Sequence, residues 1–390
     1  MKFRHVRQVA LVVGLLLGGH YLAAQEPRGR SAPTRPGSSP RVEVPPPTSP
    51  ANKSVAAPAV PAPAGRKQAT TTRFPDPEWV NITTAARRLG LKLDWKVRGR
   101  EAILTDKATR LEVAADRIEV DLNGQRVFLG QALLPRGGEL FVTKIDLERC
   151  LVPLVRPALI GRVKRRPQVI VIDPGHGGPD KGMINERLNL FEKTFTLDTS
   201  QRLKKILEAR GWKVVLTRDD DRQLKPSKAD DLRRRAEIAD EVEADVFVSV
   251  HFNAVEEQVE KVRGLEVFRF TPQYQPPISR AMRRLDDAQL SPGNGNDAWN
   301  SLLAHSIQNA MLTRLKLEDR GFKHERFAVL RLVSCPAVLI EGGFMSNMSE
   351  AKQIATPAYR QRLAEAIADG LSDYRSTLEK LRVTGKAATP

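Results

Sequence analysis

Four side chains in this sequence combine the types and positions that hydrolytic metal chemistry requires. His176 follows the aliphatic run QVIVID within DPGHGG, His251 ends VFVSV, and Glu341 ends AVLI. Such runs read as buried strands, and in an α/β sheet ligands gather beyond the carboxyl ends of the strands. Glu192, in NLFEKTFTLD, opens the helical pattern after the His176 loop, where the helix dipole favours a carboxylate. Two imidazoles and one carboxylate, with a fourth position open to water, make a catalytic zinc site of the His2Glu kind holding one Zn2+ ion. Glu341 is then a carboxylate that is not a ligand and can take a proton from water and pass it to a leaving amine. Together these groups suffice for amide hydrolysis, and the glycines beside His176 allow the sharp turn that brings it to the metal.

Taken singly, each residue has a plainer reading. GHGG alone fits a tight turn, Glu192 a helix-start carboxylate, His251 a strand-end histidine, and Glu341 an ion pair with one of the many arginines. The coincidence of all four at one sheet edge favours the metal site. Asn253, two residues after His251, projects to the same side of its strand and is a candidate substrate or outer contact, with turn capping as the alternative.

The elements that must position these groups alternate between strand and helix from residue 166 to 382. The fold class expected is α/β, a mainly parallel central sheet flanked by helices. In front of it, residues 74–160 read as a small α+β domain: a helix closed by Gly90, short alternating strands, a hairpin turn at Asn123-Gly124 and a closing helix. This pattern resembles the copper amine oxidase N-terminal-like, or stalk, domains attached to cell-wall enzymes. It has no histidine and no clustered carboxylates, which points to a spacer or wall-binding module.

The formal net charge is +17, but residues 1–73 hold 11 Lys/Arg against 2 Asp/Glu. The remainder is mixed in sign, and no helix-turn-helix, zinc-finger or RNP-like pattern is present, so no nucleic acid partner is expected. Residues 1–24 have the basic front, short apolar run and small-residue exit of a signal peptide, which implies export to a periplasmic or extracellular location with no stable membrane span after cleavage, an uncleaved membrane anchor being the alternative. Residues 25–73 are a Pro/Ala/Ser-rich linker expected to be disordered, and 383–390 a disordered tail. Cys150 and Cys335 are expected as two buried free thiols, a disulfide being the alternative.

Residues 167–375 resemble the zinc-dependent N-acetylmuramoyl-L-alanine amidases of bacterial cell walls. The motifs occur in order: VIVIDPGHGGPDKG, FEKTFTLDTSQRLKKILEARGWKVVLTRDDD, LRRRAEIADEVEADVFVSVHFNA, GLEVFRF, RGFKHERFAVLR and PAVLIEGGFMSN. The resemblance implies His176, Glu192 and His251 as zinc ligands and Glu341 as the catalytic carboxylate. It also implies peptidoglycan as substrate, cut at the amide between N-acetylmuramic acid and L-alanine, in wall turnover or daughter-cell separation. A zinc peptidase or deacetylase, and a non-catalytic wall-binding protein, are the alternatives. Phe252, Gly342 and Asp240 depart from residues common in the family without removing a ligand. Arg218 and Asp219 match it, with fold-stabilising ion pairs expected; His305 is expected as a surface or packed side chain and His324 as an exposed loop histidine. Some related amidases cover the zinc with a segment where this chain carries TPQYQPPISRAMRRLDDAQLSPGNGND. A regulatory lid is therefore expected, helical from Ser279 to Leu290, hinged at Gly293-Asn294-Gly295, with an activator protein acting on the 271–297 insertion.

Overall fold

The computed structural model describes residues 75–387 apart from 164 and 281. The expected signal peptide and linker lie outside the described residues, which fall in one compact unit. The chain begins with β1 (Trp79–Asn81) and α1 (Ile82–Leu89), followed by a meander of β2 (Lys92–Val97), β3 (Glu101–Thr105), β4 (Arg110–Ala114), β5 (Glu119–Leu122) and β6 (Gln125–Phe128). Asn81 caps α1 by accepting from the Thr83 N–H, and Gly90 closes it in the left-handed conformation. Asn123 and Gly124 both take positive φ, 55° and 82°, as a two-residue hairpin turn between β5 and β6 demands. The hairpin of β7 (Leu134–Arg136) and β8 (Glu139–Thr143) pairs with β1, and a helical stretch with α2 (Lys144–Asp146) and α3 (Val152–Val155) follows.

The second half contains β9 (Val169–Pro174), the short hairpin β10 (Ile184–Asn185) and β11 (Leu190–Phe191), α4 (Glu192–Ala209), β12 (Lys213–Leu216), α5 (Lys228–Glu241), β13 (Val246–Asn253) and β14 (Leu265–Phe270). It ends with α6 (Asp297–Leu315), β15 (Asp319–Glu325), α7 (Ala328–Leu332), β16 (Ala337–Phe344), α8 (Met348–Ile354) and α9 (Pro357–Ala387). One sheet runs through the molecule in the order β12-β9-β13-β16-β14-β15-β6-β5-β4-β3-β2. β12, β9, β13 and β16 are parallel, β14 runs against β16, and β15 is parallel to β14. The expected α/β class with a mainly parallel core and flanking helices is therefore present.

Parallel strands covered on both faces need apolar side chains on both, which is why β9, β13 and β16 read as continuous hydrophobic runs. Ile170, Ile172, Val248 and Ile340 join Leu203 of α4, Ile307 of α6 and Leu363 of α9 in one core. The alternate residues Val171, Phe247 and Leu339 are equally buried, in strands of period two, and α5 and α7 pack there. β9 connects through α4 to β12 on one side, and β12 through α5 to β13 on the other. That reversal makes the β9–β13 boundary the topological switch point, where open α/β sheets form their crevice.

Three expectations change. The N-terminal half does not stand as a separate module: β6 pairs in parallel with β15, and the Arg126 N–H donates to Asp319 Oδ2 at 2.7 Å. Backbone pairing at an edge strand has no signature in composition, so this continuity is invisible in the sequence. RGFKHE, read as a loop, is β15, because its polar side chains find buried partners. Finally, α9 continues to Ala387, past the expected end near 382; Gly385 does not break it.

Candidate metal centre

Beyond β9 the backbone enters its most constrained turn. His176 itself takes a left-handed φ of 63°, followed by Gly177 at 131° and Gly178 at 59°. Two guanidinium groups hold this path. Fully buried Arg218 donates from Nε to the Pro174 carbonyl at 3.0 Å and from Nη2 to the Gly175 carbonyl at 2.8 Å. Arg235 donates to the carbonyls of Pro174 and His176, each at 2.8 Å. Arg218 thus acts through backbone carbonyls and Thr196 Oγ1 in place of the expected ion pairs, and burial followed by the Arg235 charge pushes it down to about 10. Asp219 pairs with exposed Arg222 at 2.9 Å.

His176, Glu192 and His251 converge at the switch point. One ligand atom from each lies within 4.8 Å of the others. Glu192 Oε2 is 3.0 Å from His176 Nε2, Glu192 Oε1 is 3.0 Å from His251 Nδ1, and the two rings meet edge to face at 4.9 Å. The Glu192 carboxylate also accepts from the N–H groups of Met183 at 2.8 Å and Phe252 at 3.1 Å. His176 Nδ1 lies 3.0 Å from Asp180 Oδ1, which orients the ring and leaves Nε2 for the centre. Burial opposes protonation of His176, but Glu192 and Asp180 outweigh it and raise the imidazole to about 9. His251 shifts the other way, chiefly through burial. Despite its own burial, Glu192 is held well below the usual carboxylate range by the two imidazoles.

Glycine is obligatory at two positions here. A Cβ at Gly175 would come within 2.2 Å of His251 Cε1, and one at Gly182 within 2.5 Å of Glu192 Oε2. The donor set fits a divalent cation of the zinc type: two imidazole nitrogens and a carboxylate, fixed by an outer carboxylate and backbone donors, with glycines clearing the space around them.

Glu341 stands beside this cluster, in register with His251 on the neighbouring strand. Its Oε2 is buried and has no hydrogen-bond partner, and no arginine pairs with it among the described residues. Burial, with Glu192 and Glu266 adding, pushes the carboxyl well above its usual range. Asn253 donates from Nδ2 to Glu266 Oε2 at 2.9 Å and accepts from the Ala254 N–H at 2.7 Å. Glu266 is fully buried and pairs with Lys323 at 2.6 Å and Arg320 at 2.8 Å.

The sequence reading missed Asp180, Glu266, Lys323 and Arg235. Asp180 had a signal in its place four residues after His176, and Glu266 in being the one acid within LEVFRF. His324 is corrected: it lies on β15 with no exposure, its Nε2 is 3.2 Å from the Leu129 carbonyl, and burial pushes it down to about 3. His305 lies half-buried within α6. Cys150 and Cys335 are buried and free.

The expected lid is also corrected. Phe268 pairs with Leu339 and Glu266 with Glu341, so β14 runs away from the metal centre and releases the 271–297 insertion at the opposite sheet edge. Ile278 donates there to the His324 carbonyl at 3.1 Å, and Asn296 to the Ser334 carbonyl at 2.8 Å. Among the described residues between Ser279 and Leu290 only Leu285–Ala288 is helical, as a short 3-10 turn, and Gly293-Asn294-Gly295 lies in a second one. The proline pair at 276–277 and the Arg280–Asp287 pairing hold the segment in a compact loop.

A switch-point crevice with a His2Glu donor set that could hold a divalent cation, beside an unpartnered carboxyl group, is the candidate site of this α/β protein. The chain belongs to the N-acetylmuramoyl-L-alanine amidase family, whose pattern matches residues 170–373, and the matched domain is an amidase domain. It is 33% identical over 208 residues to an uncharacterised cell-wall amidase of Bacillus anthracis, covering 53% of this chain and 35% of that protein. It is 32% identical over 218 residues to the germination-specific N-acetylmuramoyl-L-alanine amidase of Bacillus subtilis, covering 53% of this chain and 79% of that one. Against the amidase AmiC of Neisseria meningitidis identity is 33% over 239 residues, covering 56% and 55%. Among solved structures, the amidase AmiC2 of Nostoc punctiforme is 33% identical, with a TM-score of 0.43 covering 54% of this chain and 97% of that one.

Proposed function

We propose that the chain is an exported zinc-dependent amidase that cleaves the bond between the lactyl group of N-acetylmuramic acid and L-alanine of the stem peptide in peptidoglycan. The observation that carries this reading is the meeting of His176, Glu192 and His251 beside the unpartnered Glu341 carboxyl group. Zinc held by the first three residues would supply Lewis acidity, polarising the amide carbonyl and acidifying water. Asp180 and the Met183 and Phe252 N–H groups keep the ligand atoms facing inward. Glu341, favoured in its carboxylate form by a cation's charge beside it, would take a proton through Oε2 from the attacking water as the water oxygen bonds to the carbonyl carbon, and return it to the alanine nitrogen as the C–N bond breaks. Similarity to cell-wall amidases and the leader-like first residues support a periplasmic or extracellular site of action in wall turnover or cell separation. The N-terminal half, fused to the edge of the catalytic sheet, serves in this reading as a rigid support or wall contact.

The test is zinc content together with mass analysis of digested sacculi, for the wild type and Glu341→Gln. Wild-type protein should carry one zinc and release stem peptides with an intact N-terminal L-alanine, while the variant keeps the metal and loses about 10²- to 10⁴-fold in rate. Released acetate, or cuts within the stem, would redirect the assignment to a deacetylase or peptidase, and a protein that binds no metal would sink it.

A further inference from the structure

Glu266 stands in register with Glu341 across β14 and β16, and Glu341 with His251 across β16 and β13, so the three side chains share one face at the metal-centre edge. β15 runs parallel to β14 with Asp319 opposite Leu265, which puts Arg320 at that same edge. The Arg320 Nε donates to Glu266 Oε1 at 2.8 Å, and its guanidinium lies over the Phe344 ring of β16, 5.1 Å from the centroid. The side chain therefore reaches back across β14 towards the strand that carries Glu341.

Glu266 has more cationic partners than its charge requires. Its Oε1 also accepts from Lys323 Nζ at 2.6 Å, and its Oε2 from Asn253 Nδ2 at 2.9 Å. Despite burial, Lys323 and Arg320 hold its carboxyl below the usual range, so one carboxylate faces two cations. Lys323, 8% exposed, neutralises it within the fold, and Arg320, 21% exposed, is the surplus charge at the surface. Among the described residues no acceptor meets Arg320 Nη1 or Nη2. The acids just before it in the chain turn elsewhere, Glu318 to Arg263 at 3.7 Å and Asp319 to Gln308 at 2.8 Å. A guanidinium whose Nε is anchored by a buried carboxylate keeps a planar pair of Nη groups for a second one.

We infer that Arg320, through Nη1 and Nη2, holds a free carboxylate of the peptide beside the amide to be cut. Strands are spaced by about 4.8 Å and an extended peptide advances about 3.5 Å per residue, so a group one or two residues from an amide at Glu341 comes within reach of this guanidinium. The inference rests on the amidase reading for the identity of that peptide. On that reading the acid of the sugar is consumed in the amide itself, so the carboxylate belongs to the stem. Arg320 is then a specificity-determining residue: a stem whose nearest carboxyl is free is preferred over one in which it is a carboxamide.

The probes are two forms of N-acetylmuramoyl-L-alanyl-γ-D-glutamyl-L-lysine, with the glutamyl α-carboxyl free or converted to the carboxamide. Full-chain wild type, Arg320→Gln and Arg320→Lys are compared by kcat/KM on both, and by calorimetric binding of the two tripeptides without the sugar. Wild type should favour the free acid about tenfold to a hundredfold, the range of one charge-assisted hydrogen-bonded contact. Arg320→Gln should bring that ratio close to one, and Arg320→Lys should keep part of it. Equal kcat/KM of the wild type on the two probes overturns the inference. So does an Arg320→Gln protein that slows both probes alike, since Arg320 would then serve only to support Glu266. If the wild type cuts neither probe, the amidase reading fails by itself and tripeptide binding still decides. A preference for the free acid that is lost in Arg320→Gln supports the role of Arg320, and equal binding of the two tripeptides to the wild type, or a preference unchanged in Arg320→Gln, overturns it.

Discussion

Nη1 of Arg235 lies 2.8 Å from Oδ1 of Asp173, with only 3% and 1% of the two side chains exposed. The same guanidinium grips the carbonyls on either side of Gly175. The ion pair beneath the metal centre therefore also sets the backbone path that presents His176.

Replacing Arg235 with methionine would leave the buried Asp173 carboxylate with only the Thr217 and Ser249 hydroxyls. Breaking a buried pair from one side costs about 3–5 kcal/mol, expected here in urea unfolding of the metal-free protein. Arg235→Lys should restore stability only in part, because one ammonium cannot reach Asp173, Pro174 and His176 together. Zinc affinity should fall in both variants.

Gly175→Ala places a methyl group against the His251 ring and should abolish stoichiometric zinc binding while costing about 1–3 kcal/mol in stability. Gly211→Ala is the control. Its φ of 77° makes alanine strained, but nothing lies within 4 Å of the added Cβ. That variant should lose about 1 kcal/mol and bind zinc normally. Equal zinc content in the two would contradict the close packing around His251.

Zinc binding should release a proton near neutral pH. His176 in the metal-free protein is raised to about 9 by Glu192 and Asp180. It is therefore protonated at pH 7 and must become neutral to act as a ligand. Affinity should rise about tenfold per pH unit up to about pH 9 and then level off. Calorimetry in buffers of different ionisation enthalpy measures the proton directly, and a flat affinity between about pH 7 and 8 would refute the assignment of His176.

Asp297, at the start of α6, is raised to about 6 by burial, with the Arg269 charge opposing. Its carboxyl group is protonated more readily in the folded than in the unfolded chain, so its contribution to stability is full below about pH 4 and is lost as pH rises through about 6. Asp297→Asn does not titrate and keeps an acceptor for Asn294. Relative to wild type it should gain on the order of 2 kcal/mol between about pH 4 and pH 8 in urea unfolding. A difference independent of pH would show that the carboxyl group is not buried as described.

Much of the catalytic half was legible because parallel strands covered on both faces must be apolar along their length. That rule located β9, β13 and β16, and so placed His176, His251 and Glu341 at one edge. Glu192 was legible as a helix-start carboxylate, and Asn123-Gly124 as a hairpin turn, through local backbone preference. β15 was not legible. Its Arg320 and Lys323 read as solvent-facing until Glu266, more than fifty residues earlier, is seen to neutralise them. His324 was misread for the same reason, since the Leu129 carbonyl that receives it belongs to the other half of the chain. The insertion could be recognised by its length, but the side on which it emerges depends on β14 running against its neighbour.

The sequence by itself determined the chemistry at hand: which side chains can bind a cation or move a proton, and which apolar runs carry them, because hydrophobic period and turn residues are local properties. The tertiary structure decided who meets whom. It set Asp180 behind His176 and Glu266 beside Glu341, joined the N-terminal strands to the catalytic sheet, and turned the insertion away from the metal centre. Those outcomes follow from strand direction and edge pairing, which are settled by backbone hydrogen bonds between distant segments and leave no mark on the order of the residues.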